Sequence, residues 1–484
     1  MNWKAISRNI GYALLVSALF MLLSILVSVA DGKDSAFAPL VISFLITFTV
    51  GVFPFIFVRK TPEISLKEGY VIITLSWLLS FVFGMLPYAL WGDPFTLQNA
   101  WFESVSGFTT TGSTILEDVE ALPKSLLFWR SSTHFIGGLG VVVFLLLIIP
   151  QSSPIRLRLT NMELSSLSKG GYSSRPNKTV YIFAYVYLMM VVLSFLAYIL
   201  AGMPAFDAIC HAMSVSATGG FSTRNLSIAS FNSPLIEGIT IVFMLLSSLH
   251  FGLIYLAVVN RSLRPLNSPV IKFYLMSLLV ISLFAGFSIK LGGFDGSWGT
   301  AIWQAAFQTV STASTTGFAI ADNALWPMTA NGLLLITAFM CGCAGSTSGG
   351  VKVDRLLVFF KSVNRQINLH LHPSAVNEVR MGKKTLRNDD IYPQLLYILL
   401  FVSILAVSVL LNLAVGVNGH SAFSASVCSL SNVGPAIREL GSMGNFNMLP
   451  SVSKFILSMD MFLGRVEIYP VLAFFAMIFD GRRK

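Results

Sequence analysis

Thr109-Thr110-Thr111-Gly112-Ser113 is a run of small hydroxylated residues around a glycine, set between apolar stretches long enough to cross a bilayer. The pattern returns as Thr218-Gly219-Gly220-Phe221, Thr315-Thr316-Gly317-Phe318 and Asn432-Val433-Gly434-Pro435, at intervals of roughly a hundred residues, the mark of an internal repeat. Aligned on their glycines without gaps, the segments bring Ala100, Ala208, Ala305 and Ala422 into register, and likewise Ser106, Ser214, Ser311 and Cys428. One chain carrying such a unit four times can arrange four backbone loops about a single axis, as separate subunits do in a tetrameric channel.

The surrounding composition is that of a polytopic membrane protein. Of 484 residues, 55% are hydrophobic and 11% charged, and the mean hydropathy is +0.75. Spans of membrane length are expected near 9–30, 36–58, 70–91, 126–149, 180–201, 235–259, 272–291, 331–360, 394–416 and 453–479. Shorter segments near 97–108, 205–216, 301–313 and 420–431 cannot cross and suit re-entrant helices. The glycine segments follow them directly, and non-helical backbone at that depth must be covered by protein or line water.

The expected fold is therefore an all-α membrane protein: an N-terminal two-helix region, 1–67, then helix, re-entrant loop, helix units over 68–150, 151–260, 261–372 and 373–484. All four units run in the same direction, which favours a central pore over an inverted pair of transporter halves. The loop 361–392 reads as a cytoplasmic connector or docking surface.

Charge orients the chain. Its net charge of +10 is concentrated on one set of loops, in Lys4, Arg8, Arg59, Lys60, Lys67, Arg156, Arg158, Lys169, Arg175, Lys178, Arg261, Arg264, Lys272, the basic residues of 352–387 and Arg482-Arg483-Lys484. The opposite loops carry mainly Lys33, Lys124, Arg224, Lys290 and Arg438, so both termini are expected in the cytoplasm. Basic residues scattered beside apolar spans do not form a nucleic-acid footprint. The first apolar stretch lacks a clear small-residue cleavage site and reads as a retained span. Cys210, Cys341, Cys343 and Cys428 all fall in apolar segments, giving neither a disulfide framework nor a zinc pattern.

A small monovalent cation leaves water only where several carbonyl oxygens replace its hydration shell together, so backbone must approach the axis. Glycine permits this because it tolerates positive φ and has no Cβ to obstruct a carbonyl ring. The expected potassium-binding set is Thr110, Thr111, Gly112, Thr218, Gly219, Gly220, Thr315, Thr316, Gly317, Asn432, Val433 and Gly434. Re-entrant helices would also aim their negative dipole ends at the cavity. Glu103 fits a hydrogen-bond network better than a cation lure, and His134, His211 and His250 fit core hydrogen bonding.

Several pieces carry a resemblance to a known family. They are Glu68-Gly69-Tyr70, Thr109-Thr110-Thr111-Gly112, Trp129-Arg130-Ser131 with Gly137-Gly138-Leu139-Gly140, His372-Pro373-Ser374-Ala375-Val376, and the strongest, Gly342-Cys343-Ala344-Gly345-Ser346-Thr347-Ser348-Gly349-Gly350-Val351-Lys352. The chain resembles the Trk/Ktr/HKT superfamily of potassium transporters over essentially its whole length, and within it the Trk type, since two extra spans precede the repeats. The resemblance implies potassium-selective filter loops at Gly112, Gly220, Gly317 and Gly434; serine at the first would imply sodium. Ser348 and Ala436 depart from positions where glycine is common, and the second inner helix carries Ser248-Leu249-His250-Phe251.

The third inner helix cannot stay regular through Gly342, Gly345, Gly349 and Gly350, and the resemblance makes Gly345, Ser346, Thr347, Ser348, Gly349 and Gly350 an intramembrane gate. Arg465 would face protein or water, either narrowing the pore below the filter or pairing with Glu467, Asp460 or a carbonyl. The implied function is potassium uptake through a channel-like pore of the bacterial inner membrane, without enzymatic chemistry. An alternating-access symporter coupled to protons or sodium is the alternative. Potassium is the transported ligand, and no organic cofactor is expected because neither a dinucleotide fingerprint nor a Walker loop is present. By resemblance the partners are a second copy, membrane lipid and a cytosolic nucleotide-binding regulatory subunit.

Overall fold

A backbone in lipid must satisfy its own hydrogen bonds, and this chain does so with helices. The computed structural model describes residues 1–58, 64–148, 176–374, 377–382 and 384–480. Arg59, Lys60, Arg156, Arg158, Lys169, Arg175, Lys383 and Arg482-Arg483-Lys484, which contribute to the charge argument, lie outside the described residues, as do Ala375 and Val376.

Helices α1 (Trp3–Ala30) and α2 (Phe37–Phe57) form an antiparallel pair. They cross closely at Gly11, where a Cβ would stand 2.7 Å from the Gly51 carbonyl oxygen. Asn2 caps α1 with its side chain, and Ser65 with Glu68 forms a reciprocal capping box at the start of α3 (Leu66–Gly84). The other oxygen of the Glu68 carboxylate accepts the Asn2 backbone N–H at 2.7 Å, so one side chain ties two helix starts together.

The chain then repeats an order of long, short and long helices. In the first instance α3 passes at Met85 into α4 (Leu86–Trp91), followed by short α5 (Leu97–Phe108) and long α6 (Lys124–Ile148). The second has α7 (Pro176–Leu200), short α8 (Ala205–Ala217), and α9 (Pro234–Ser248) with α10 (Phe251–Val259). The third has α11 (Pro269–Leu291), α12 (Trp298–Ala313), α13 (Met328–Met340) and α14 (Val353–Leu371). The fourth has α15 (Asn388–Ala414), α16 (Gly419–Ser431), α17 (Ser451–Val466) and α18 (Ile468–Asp480). A small antiparallel hairpin, β1 (Arg380–Met381) with β2 (Lys384–Thr385), joins the last two.

The long helices differ from expectation in continuity. Among the described residues six helices are long and apolar enough to cross a membrane, α3 with α4 counting as one, or seven if α9 and α10, bent by 104°, also count as one. The span expected at 331–360 is two helices separated by non-helical residues 341–352, because the glycines there release the backbone. The span expected at 453–479 breaks at Glu467, whose φ is 63°. The connector expected at 361–392 begins as helix, since α14 continues to Leu371.

Outward faces of α2, α11 and α15 carry exposed Phe53, Phe284 and Leu410, as lipid contact requires. Hydroxyls on these helices bond back to their own chain, as Ser43 Oγ does to the Pro39 carbonyl at 2.7 Å. One buried core joins α1, α3, α5 and α6 to α16 and α17, and a second joins α7 through α12. The C-terminal halves of the four short helices are buried, and in each the aligned alanine, Ala100, Ala208, Ala305 or Ala422, is 0% exposed.

Candidate ion-binding site

Each short helix ends in the same way. Thr110, Thr218, Thr315 and Asn432 adopt φ of 53°, 55°, 60° and 56°, a left-handed conformation that β-branched residues seldom enter. Two residues later Gly112, Gly220, Gly317 and Gly434 return to positive φ, at 83°, 89°, 77° and 90°. The backbone N–H groups of Thr111, Gly219, Thr316 and Val433 donate to the carbonyls of Ser106, Ser214, Ser311 and Cys428 at 2.9 Å in every case. These are Schellman closures, and their acceptors are the residues the sequence places in register.

The segments meet in a closed ring. A Cβ on Gly112 would overlap the Gly219 carbonyl oxygen, and one on Gly220 that of Thr316. One on Gly317 would overlap the Val433 carbonyl oxygen, and one on Gly434 that of Thr111, which returns to the first segment. Gly112, Gly220 and Gly317 also border an open cleft whose far wall is Gly441, Ser442 and Asn445. The C-terminal, electronegative ends of four helices therefore stop at one place where carbonyl oxygens lie beside unsubstituted Cα atoms.

The ring is fastened from behind by hydroxyls. Thr109 Oγ1 and Thr111 Oγ1 are 2.8 Å apart, as are Ser314 Oγ and Thr316 Oγ1. Asn432 breaks the symmetry. Its Nδ2 donates to Thr111 Oγ1 at 3.0 Å and to the Met461 carbonyl at 2.8 Å, joining two neighbouring segments to α17. A Cβ at Gly349 or Gly464 would press on the Asn432 amide, so both positions must be bare.

The 341–352 loop packs against this assembly. Cys343 N–H donates to the Ser248 carbonyl at 2.9 Å, Phe251 N–H to the Gly345 carbonyl at 3.0 Å, and Thr347 Oγ1 contacts the Ser216 and Ser247 carbonyls at 3.1 and 3.2 Å. The Gly349 N–H donates to Thr315 Oγ1 at 3.2 Å, a direct link between loop and ring. Ser346 and Ser348 hydroxyls are 2.7 Å apart, and Lys352 Nζ donates to the Ser348 carbonyl. Gly345 lies against the His250 ring and Gly350 against Cys341 Sγ, where side chains would not fit.

Arg465 closes the arrangement from α17. Its Nη1 donates to the Thr347 carbonyl and its Nη2 to the Gly137 carbonyl on α6 at 2.9 Å, so one guanidinium spans the loop and the first inner helix. The alternative partners Glu467 and Asp460 are engaged elsewhere: Glu467 pairs with Arg355 at 3.1 Å and Asp460 is hydrogen-bonded to Ser408.

On the other side of the ring, Glu103 is buried and engages three partners: Thr114 Oγ1, the Ile115 N–H, and Arg130, whose Nε and Nη2 both lie 2.8 Å from Glu103 Oε1. Arg130 stacks over Phe221 at 4.0 Å and donates to the Ser222 carbonyl, linking the first and second segments. Its role is absent from the sequence reading, although an arginine inside an apolar run is the signal that could have found it. Removing one partner of a fully buried pair leaves an uncompensated charge. Glu103→Ala should therefore destabilise the folded protein by about 3–5 kcal/mol, read as loss of thermal stability in detergent. Substituting Glu103 and Arg130 together should cost less than the sum of the single changes.

His134 Nδ1 lies 3.1 Å from Ser214 Oγ, and His211, in the middle of α8, bridges the Asp207 carbonyl and Ser222 Oγ. The four cysteines are buried and free, and no cluster of three metal-ligating side chains occurs among the described residues.

Comparison with known proteins covers the whole arrangement. The sequence model of the TrkH family, described as a cation transport protein, matches residues 39–283 and 295–482. The chain is 33% identical over 489 residues to the Trk system potassium uptake protein TrkH of Salmonella typhimurium, spanning 99% of both chains. It is 35% identical over 490 residues to the TrkH of Halomonas elongata, again spanning 99% of both. The crystal structure of the potassium transporter TrkH from Vibrio parahaemolyticus superposes with a TM-score of 0.86 at 31% identity, covering 98% of each chain. With its apolar helices, this chain is an integral membrane protein and belongs to the TrkH family of cation transport proteins, the family of the Trk-system potassium uptake transporters.

Proposed function

We propose that the protein takes up potassium through a channel-like pathway across the bacterial cytoplasmic membrane. The observation that carries this reading is the closed ring, in which each of four glycines stands against the carbonyl preceding the next. On this reading the four units are parallel pore repeats, the short helices are re-entrant, and Thr110–Gly112, Thr218–Gly220, Thr315–Gly317 and Asn432–Gly434 form the filter. Carbonyl oxygens replace the water around a dehydrated potassium ion, and helix C-termini favour its charge without any acidic ring. The membrane potential drives uptake, each charge gaining roughly 2.3 kcal/mol per 100 mV.

Below the filter, residues 345–350 and Arg465 act as the gate. Both termini lie in the cytoplasm, and a cytosolic nucleotide-binding subunit acting on a homodimer sets the gate's position. A second reading, alternating access, draws on the breaks at Leu249, at 341–352 and at Glu467, because broken helices are also how many transporters build their sites.

One experiment separates the two. Purified protein in potassium-free liposomes, with the potential clamped, should admit potassium and rubidium in preference to sodium without any proton or sodium gradient. Uptake that requires such a gradient at fixed potential would reject the channel-like pathway in favour of the symporter.

A further inference from the structure

Apart from the ring and its gate, buried polar side chains of the fourth unit converge on a single carboxylate. Asp460 lies on α17, one helical turn and a residue before Arg465, and is 4% exposed. Helix α17 packs against α5, α15, α16 and α18. Ser408 Oγ of α15 contacts Asp460 Oδ2 and also lies 2.9 Å from Ser426 Oγ of α16. Asn412 Nδ2 donates to the Ser408 carbonyl at 3.0 Å and approaches Ser426 Oγ at 3.3 Å, while Ser453 Oγ donates to Asn412 Oδ1.

Every neighbour in this cluster is neutral. The charged groups on the same and adjoining helices are committed elsewhere: Glu103 of α5 to Arg130, Lys454 to Asn99 and the Asn447 carbonyl, Arg465 to two carbonyls, and Glu467, at the α17–α18 break, to Arg355. Asp389 and Asp390 sit in the first turn of α15, His420 in the first turn of α16, Cys428 on α16 and Tyr469 on α18, and none is bonded to Asp460. An ionised carboxylate offers about four acceptor sites, and here one hydroxyl meets it. Burying that charge with so little compensation costs far more than burying the acid. The neutral acid fits the bonding pattern, with Asp460 donating to Ser408 Oγ and the Ser408 hydroxyl turned to Ser426.

We propose that Asp460, with Ser408 and Ser426 as its relay, is a proton-binding site that is loaded in the arrangement described here. The proton comes from bulk water and returns to it as carboxylate and carboxylic acid interconvert. Because Asp460 and Arg465 share α17, loss of the proton destabilises the packing of α17 on α15 and α16 and with it the Arg465 contact to the Thr347 carbonyl. This consequence rests on the gating reading above; the binding of the proton does not.

Infrared spectra of the purified protein at neutral pH test the site itself. The wild type should show the C=O stretch of a protonated carboxylic acid that Asp460→Asn lacks, and Ser408→Ala should shift that band while leaving the carboxyl in place. If neither variant alters the protonated-carboxyl region, Asp460 is ionised and the proposal falls. In liposomes at fixed potential, wild-type potassium flux should rise with pH, and Asp460→Asn should lose that rise. An unchanged pH profile in the variant would sever the proton from the gate. Absence of potassium flux from every protein would instead reject the transport reading and leave the infrared result standing.

Discussion

Arg465→Ala is expected to increase potassium flux by about one to two orders of magnitude, because hydrogen bonds from a charged donor contribute roughly 1.5–3 kcal/mol each. The guanidinium holds the Thr347 carbonyl of the loop and the Gly137 carbonyl of α6 at once. Without it the loop keeps Ser216, Ser247, Ser248 and Thr315 as partners but loses its tie to α6 and α17. Arg465→Lys should fall between, since one ammonium cannot reproduce the spread of a guanidinium. Flux into liposomes at matched protein density measures both. Deleting residues 345–350 should give a comparable gain, and on the proposed gating, in which loop and arginine act as one constriction, the combined variant should gain much less than the product of the two. Normal insertion with flux no higher than wild type in all three would leave the loop as helix packing only.

Gly112→Ser should lower the preference for potassium over sodium about tenfold, while the protein still folds. Positive φ costs a side-chain-bearing residue roughly 1–2 kcal/mol, and about 1.4 kcal/mol is a factor of ten in preference. The Cβ would also collide with the Gly219 carbonyl, displacing an oxygen of the adjacent segment rather than its own. Alanine at Gly220, Gly317 or Gly434 should behave alike, since each glycine faces the carbonyl before the next. Reversal potentials or rubidium-to-sodium uptake ratios give the comparison. Unchanged ratios in all four variants would remove the ring from selectivity.

How much of this was legible in the sequence depended on whether the signal was local. The short helices and their glycines appear as repeats because each needs the same closure, and the matched Ser106, Ser214, Ser311 and Cys428 accept its hydrogen bonds. The break in the third inner helix is written in its glycines. The breaks at Leu249 and Glu467 carry no such mark: neither position is glycine or proline, and tertiary contacts impose them. His250 must meet Gly345, and Glu467 must reach Arg355. The Arg465 acceptors were equally hidden, because backbone carbonyls from residues more than a hundred positions away leave no trace in side-chain identity. Asn432 reads from its position as the fourth counterpart of Thr110, Thr218 and Thr315, yet its amide faces Met461 and Thr111, a role that only the assembled neighbours define.

The most direct measurement is the position of the ion itself. Crystals grown in rubidium, with data collected at the rubidium absorption edge, should show anomalous density on the axis enclosed by Gly112, Gly220, Gly317 and Gly434, weakened by Gly112→Ser. Density confined to another cavity, or an empty ring in crystals of protein that transports rubidium, would contradict the assignment of these four segments as the ion pathway.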